Sequence, residues 1–600
     1  MSSSEDTKGT NSLVCRRAPP GFYRLRSNYI AGGTRMNGVP GLLLCEFSNI
    51  GDAVALIVCQ TFELTMCELS WTLRSKPEWQ RKAADPEIRS KWRQEALQQQ
   101  ADAAAEAEDP STAVCLTEAM VDYVLAELNG YAEIADNEKG IERACFDGIW
   151  YSDRLISSDV LERLKSAVKT LEDVPEEKKD WHPGTDKQVL DLVHPSLYCV
   201  VYGRTHAYLP DKPRIAANFL PVHAPESTSK FASKVFSWMP SDFMVDTEGS
   251  VKLASPYINN LHPVLHQPMY HVVEEILTAF VPMFERVLGD SNRENDRVAF
   301  SNEERLERIG CIWGGFGGQP YPEEEPGSDE DEDEFNEKFL RSIKKEVPVA
   351  KEYTGQLQAR FSPVSLRGRT IQCIVKLANI HLTPEKPEYG GWELARMVNE
   401  RIVASGIYYY DEENIDESML SFRVAVGPPD YHGQDDSACM NMLYDLDRTS
   451  ALSCVFPLSI LWDLIAGQVT KAGRALSWPN LFQHCVAPFE LADPSKPGHR
   501  KILAIFLVDP TKDRIVSTTE VPPQQADWAS VAFEDACREP SSVLGALPQE
   551  LRDLVKDNFP ETVMTLKEAE DYRLKLMKER TASTDAHAKA YVKTFNMCEH

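Results

Sequence analysis

Residues 478–510 read WPNLFQHCVAPFELADPSKPGHRKILAIFLVDP. Ile502–Val508 is a continuous apolar run closed by Asp509-Pro510, which is how a buried strand reads. Ahead of it stand a lone histidine, His484, and, sixteen residues later, Arg500 in the tripeptide Gly498-His499-Arg500. A histidine at the end of one strand and an arginine at the mouth of the next make a pair whose meaning depends on the sequence around them.

Working outward, the same period recurs. Ile371, Cys373, Val375 and Leu377 alternate with Gln372 and Lys376, and Leu420, Phe422, Val424 and Val426 alternate with Ser421 and Arg423. Ile402–Tyr410 also reads as a strand, with alternating buried rings at Tyr408–Tyr410. Several short strands with Pro- and Gly-marked turns and no interleaved helices predict an antiparallel sandwich or jelly roll over roughly 348–521. Helical patterns lie on either side. Lys91–Ala105 is rich in Ala, Gln and Glu, and Asp159-Val160-Leu161-Glu162 has the form that starts a helix. Over Tyr270–Leu288, the residues Val272, Val273, Ile276, Phe280, Met283 and Val287 fall on one stripe. Thr565-Leu566-Lys567-Glu568 is a capping box opening a helix to Lys578. Between these blocks, 322–337 reads PEEEPGSDEDEDEFNE, with ten acidic residues in sixteen, a composition expected to stay unfolded.

The totals narrow the function. The 600 residues carry 64 basic and 92 acidic side chains, a formal charge of −28, which argues against nucleic acid or an anionic membrane surface as partner. Fourteen cysteines are scattered without a Cys-x-x-Cys pair, so reduced thiols are expected. The opening MSSSEDTKGTNS lacks a secretory layout. The apolar windows Gly41–Val58 and Leu452–Ala466 are broken by charges or proline before reaching the roughly 18 residues of a membrane span. An intracellular protein, cytoplasmic rather than nuclear, is the expectation; substrate and oligomeric state are not readable.

Non-haem iron oxygenases hold Fe(II) with two histidines and one carboxylate. The first two ligands come as His-x-Asp or His-x-Glu at a strand end, because alternate residues point the same way. The second histidine sits on a later strand, and an Arg or Lys beyond it pairs in fork fashion with the far carboxylate of 2-oxoglutarate. His484 followed by Arg500 fits the second half of that scheme. No Gly-x-Ser-x-Gly appears to support a hydrolase.

The phrases KPEWQRKAADPEIRSKWRQEAL, LEDVPEEKKDWHPGTDKQVLDLVHPSLY, YINNLHP, VSLRGRTIQCIVKLANIHLTPEKPEY, NERIVASGIYYYDEENI, QHCVAPFELADPSKPGHRKILAIFLVDP, VPPQQADW and LKEAEDYRLKLMKER resemble a fungal family catalogued as domain of unknown function 4246, from about Leu69 to about Arg580. The resemblance implies an α+β chain with a double-stranded β-helix (jelly-roll) domain related to 2-oxoglutarate- and Fe(II)-dependent oxygenases. His484 would be the distal iron ligand and Arg500 the 2-oxoglutarate anchor. The expected division is a disordered N-terminus over 1–20, a mostly helical region over 21–320 and an acidic disordered linker over 321–345. The β-helix domain follows over 346–521, then a helical tail over 522–600.

One departure matters. After EKPEY the family carries a glycine-rich turn and Trp-His-x-Glu; here the text is Gly390-Gly391-Trp392-Glu393-Leu394. Glu393 is the candidate surviving carboxylate, and the proximal histidine is missing. His381, which shares strand parity with Ile371–Leu377, and His432 are weaker substitutes. The apolar stretches Ser453–Gly467 and Gly41–Thr65 read like translated non-coding sequence, so a mis-assembled gene and true divergence both account for the gap. Trp181-His182-Pro183-Gly184 and Asp191–Tyr198 are read as packing or turn residues ahead of a place at the border of the active site. The expectation is an oxygenase-like protein, weak in iron binding and catalytically silent if the histidine is truly lost; the alternative is a non-catalytic binding protein on the same fold.

Overall fold

The computed structural model describes residues 61–106, 114–227, 229, 231–291, 305–307, 326–327, 331, 335, 338–339, 347–391, 397–423, 443, 455–457, 466–480, 482–539, 541–557, 562–591 and 594–596. Most of the acidic stretch 322–337, together with Glu393 and His432, lies outside them.

Four helices open the described chain: α1 (Thr61–Arg74), α2 (Trp79–Ala84), α3 (Pro86–Glu106) and α4 (Glu118–Ile134). In α1, Phe62 and Met66 are completely buried, so the end of the apolar run 41–65 is core-forming sequence rather than foreign text. Glu63 is buried with them and faces Arg305 Nη1 at 3.5 Å, while Arg305 Nη2 bonds Glu127 of α4 at 3.0 Å. Burial outweighs the nearby guanidinium and pushes the Glu63 carboxyl up to about 7.

Helix α5 (Ser158–Glu172) begins two residues earlier than a cap at Asp159 implies, because the Ser157 hydroxyl accepts from Val160 N. Helix α6 (Gln267–Asp290) buries the whole expected stripe from Val272 to Val287. It packs on the large sheet at Gly406, where a Cβ would lie 2.7 Å from the Phe280 ring. Only glycine lets the helix come this close.

Residues 142–253, expected as part of a helical region, are instead mostly short strands and turns. They are β1 (Glu142–Arg143), β2 (Trp150–Ser152), β3 (Val189–Val193), β4 (Val200–Val201), β5 (His206–Tyr208), β6 (Phe219–Pro221), β7 (Phe236–Ser237), β8 (Ser241–Val245) and β9 (Val251–Leu253). Strands of two to five residues are too short to show a period. The later strands are β10 (Thr370–Leu382), β11 (Glu388–Gly391), β12 (Ile402–Glu413), β13 (Ser418–Arg423), β14 (Val455–Pro457), β15 (Ala466–Thr470), β16 (Ala475–Pro479), β17 (Gln483–Glu490), β18 (Gly498–Val508) and β19 (Thr594–Asn596).

A large antiparallel sheet runs β1-β2-β16-β12-β18-β10-β8-β9, with β3 also paired to β10. A smaller one runs β11-β17-β13-β15. β18 lies in the middle of the large sheet, hydrogen-bonded to β10 on one side and β12 on the other. The large sheet has two covered faces. Ile371, Cys373, Val375 and Leu377 of β10 enter the core shared with α4 and α6, whereas Ala378, Ile380 and Leu382 enter the core shared with Phe422, Phe489 and Leu491 of the small sheet and its flank. Further along this second face, Ile374 meets Met564 and Leu576, beside the C-terminal helix Leu566–Tyr591. Thr565 caps that helix, accepting from Glu568 N at 3.2 Å. Among the described residues no helix is long and apolar enough to cross a membrane.

Candidate functional site

Register decides where each expected residue points. Arg500 of β18 is opposite Ile380 of β10, and directly paired residues share a face, so Arg500 lies between the two sheets. It is 1% exposed. Gly498 begins this strand in a gap where a Cβ would come within 2.5 Å of Asn414 O. The guanidinium stands 4.3 Å from the centre of the Phe489 ring. Its Nε and Nη2 donate to Glu412 Oε2 at 3.2 and 3.0 Å, and its Nη1 donates to Ser418 Oγ at 2.8 Å. Glu412 is opposite Arg500 across the β12–β18 ladder; two strands 88 residues apart supply the pair, which no local motif announces.

His484 is half-buried in the same interior, paired with Phe422 across the small sheet. Its ring lies 4.9 Å from that of Trp478 and 6.5 Å from that of Phe422. Phe489, under Arg500, is five residues further along β17, roughly 17 Å of extended strand. The two expected residues therefore line one interior at different depths. His381 has the parity of Leu377, which is the helix-facing side. It sits opposite His499 with its ring 6.0 Å from that of Trp181. Burial holds its imidazole below the usual range. It cannot stand in for a ligand between the sheets.

A second cluster joins two segments expected to serve packing or turns ahead of a place at the active-site border. His182 precedes β3, with its N–H bonded to Val189 O at 2.8 Å. Asp191 occupies the middle of β3 opposite Ala378, and His194 follows the strand directly. The spacing His-x8-Asp-x2-His matches no common motif, and the three meet only because the chain before β3 folds back along it. Ligand atoms from all three lie within 4.8 Å of one another. His182 Nδ1 is 2.7 Å from Asp191 Oδ2, and Ser196 N donates to His194 Nδ1 at 3.2 Å. The rings of His182 and His194 are 5.1 Å apart. Burial pushes the His194 imidazole down to about 3, against the pull of Asp191. For Asp191, burial raises the carboxyl, but His194 and His182 prevail and hold it below its usual value. Its Oδ1 is buried without a hydrogen-bond partner. Asp191 and His194 form one wall of a cleft of about 240 Å³, with Tyr198, Asn260, Gln525 and Trp528 among the other lining residues.

Helices packed on one face of a large antiparallel sheet and a small antiparallel sheet on the other make this a mixed helix-and-sheet protein with two polar constellations on the sheet's inner face. Residues 118–532, 415 of the 600, match the family described as Protein of unknown function (DUF4246), and residues 49–95 match the Domain of unknown function DUF4246, N-terminal. The chain belongs to this family. The N-terminal match overlaps the stretch 41–65 and agrees with the burial of α1. No curated protein matches the sequence. Among solved structures, the chain is similar to the selenomethionine-labelled Fe(II)/(alpha)ketoglutarate-dependent dioxygenase TqaL, at 8% identity and TM-score 0.22, covering 72% of this chain and 95% of that one. It is also similar to IDO from Bacillus thuringiensis (11%, TM-score 0.14, 24% of this chain and 47% of that). A third is a bsmA homolog from Methylobium petroleophilum PM1 (12%, TM-score 0.15, 36% and 67%). The chain thus spans about half the length of the first of these proteins to which it was matched, IDO.

Proposed function

We propose that the chain is a 2-oxoglutarate- and Fe(II)-dependent oxygenase-like protein built on a double-stranded β-helix, in which Arg500 receives the far carboxylate of the co-substrate and His484 and Glu393 supply metal ligands. The observation that carries this reading is the strand order. β10, β12, β16 and β18 belong to the large sheet and β11, β13, β15 and β17 to the small one. Winding back and forth between two facing sheets in this order supports the jelly-roll reading, and both His484 and Arg500 lie on the inward side of that winding.

The Arg500 neighbourhood suits a carboxylate: a rigid guanidinium fork, a hydroxyl at Ser418 and an aromatic floor at Phe489. The metal half is less complete. Among the described residues none joins His484 in a group of three metal ligands. Glu412 favours the second reading, a non-catalytic binding protein, since an internal carboxylate already holds the fork.

Titration calorimetry with 2-oxoglutarate separates these outcomes. Glu412→Gln removes the competing charge and is expected to tighten binding about tenfold or more, given charge-assisted bonds of about 1.5–3 kcal/mol. Arg500→Lys is expected to weaken it. No binding by either wild type or Glu412→Gln removes the co-substrate role. Binding without succinate release when Fe(II) and O₂ are supplied supports the second reading.

A further inference from the structure

We infer that His182, Asp191 and His194 form a binding site for a divalent first-row transition-metal ion, apart from the interior that holds His484 and Arg500. The inference stands on other residues and does not rest on the oxygenase reading.

Three observations meet at this place. The donor set is two imidazoles and one carboxylate, borderline and hard ligands that together select Zn²⁺, Fe²⁺ or Co²⁺ over Mg²⁺ or Ca²⁺. The three ligand atoms already lie within 4.8 Å of one another, so a common ion needs side-chain adjustment rather than backbone movement. The Asp191 side chain is wholly buried, yet Oδ1 has no hydrogen-bond partner. A buried carboxylate oxygen left unpaired costs free energy, and a cation beside it removes that cost.

The surroundings explain why such an ion would stay accessible. Asp191 and His194 open onto the 240 Å³ cleft, so three protein ligands leave a coordination position for water or a small ligand entering there. The hydrogen bond on the His194 ring, from Ser196 N–H, is long at 3.2 Å, and little is lost if the ring turns to a metal. Lys376 and Arg573 both oppose the ion, Lys376 by adding positive charge near Asp191 and His194. Arg573 Nη1 lies 3.8 Å from Asp191 Oδ2, although both Asp180 oxygens engage it at 2.7 and 2.6 Å. A micromolar site, tightened by Arg573→Gln, is the consequence.

The experiment uses the full chain, stripped with chelator and titrated with Co²⁺ under visible absorption, then with Zn²⁺ and, without oxygen, Fe²⁺ by equilibrium dialysis. One ion whose uptake depends on these residues is expected, with Co²⁺ bands in the visible. Asp191→Asn and His194→Gln should each weaken binding about 10- to 100-fold or more. Glu248→Gln, on an exposed turn away from the cluster, should leave it unchanged. X-ray absorption of the Zn²⁺ form, counting two imidazoles in wild type and one in His194→Gln, keeps the test decisive if Asp191→Asn folds poorly. The inference is overturned if wild type takes up none of the three ions in the micromolar range. It is equally overturned if the uptake is the same in Asp191→Asn and His194→Gln as in wild type.

Discussion

Arg500 and Asp191 are both buried charges on the inner face of the large sheet, one opposite Ile380 and the other opposite Ala378 of the same strand, β10. They are treated differently by the chain around them. Arg500 is closed by its own protein, with Glu412, Ser418 and the Phe489 ring accounting for its polar edges and one face. Asp191 keeps a bare oxygen beside two imidazoles and a cleft. A buried ion with all partners supplied from within holds strands together, whereas one left short of a partner is kept ready for something that arrives from outside. By this measure Arg500 is the better satisfied of the two charges within the chain itself.

The comparison breaks most visibly at Arg500. Removing the guanidinium empties the buried space over Phe489 and strands the partly buried Glu412, so Arg500→Ala is expected to cost about 3 kcal/mol, the low end for a broken buried pair. Urea unfolding measures it; a loss under about 1 kcal/mol would make the pair incidental.

Acid titration sharpens the contrast next. The His194 imidazole falls from 6.5 to about 3 in the fold, so below pH 6.5 the unfolded chain takes a proton that the folded chain refuses, and stability drops as pH falls. Glu63 in the helical layer rises from 4.5 to about 7, so stability drops as pH rises across that span. At full extent the His194 limb amounts to roughly 5 kcal/mol and the Glu63 limb to roughly 3 kcal/mol. In chelator, His194→Gln should flatten the acid limb and Glu63→Gln the upper one; unchanged limbs in these variants would sever the link to either residue.

The smallest effect is expected at Asp191. Without metal, Asp191→Asn should change unfolding stability by about 1 kcal/mol or less, because the lost oxygen had no partner to lose. A cost equal to that of Arg500→Ala would place the two carboxylate sites in one class and erase the distinction.

What could be read from residues alone follows the length of the pattern. β10 and the α6 stripe carry several repeats of their period, and β12 and β18 are long apolar runs, so each is legible. The strands between Glu142 and Leu253 have two to five residues and take their conformation from partners far away, as Trp150 does from Ser477. The site divides in the same manner. His484 and Arg500 are near in sequence and framed by strand patterns, so their inward placement could be anticipated. Glu412 reaches Arg500 through strand register, and His182 reaches Asp191 through a loop that doubles back along β3. His381 shows the limit from the other side: its parity was read correctly, but parity does not say which face of a sheet covered on both sides holds the site.

The central place of β18 carries a consequence for how this protein is made. β10 and β12 flank it, yet β18 is the last of the three to be synthesised. Until residue 508 emerges from the ribosome, the middle of the large sheet is a slot with two unpaired strand edges, each ready to pair with a neighbouring chain. From Glu413, where β12 ends, to Val508, where β18 ends, 95 residues must be added, roughly 5–20 s at ordinary translation rates. The nascent chain is most exposed to aggregation in that interval, and chaperone occupancy on translating ribosomes should peak there and fall once β18 closes the sheet.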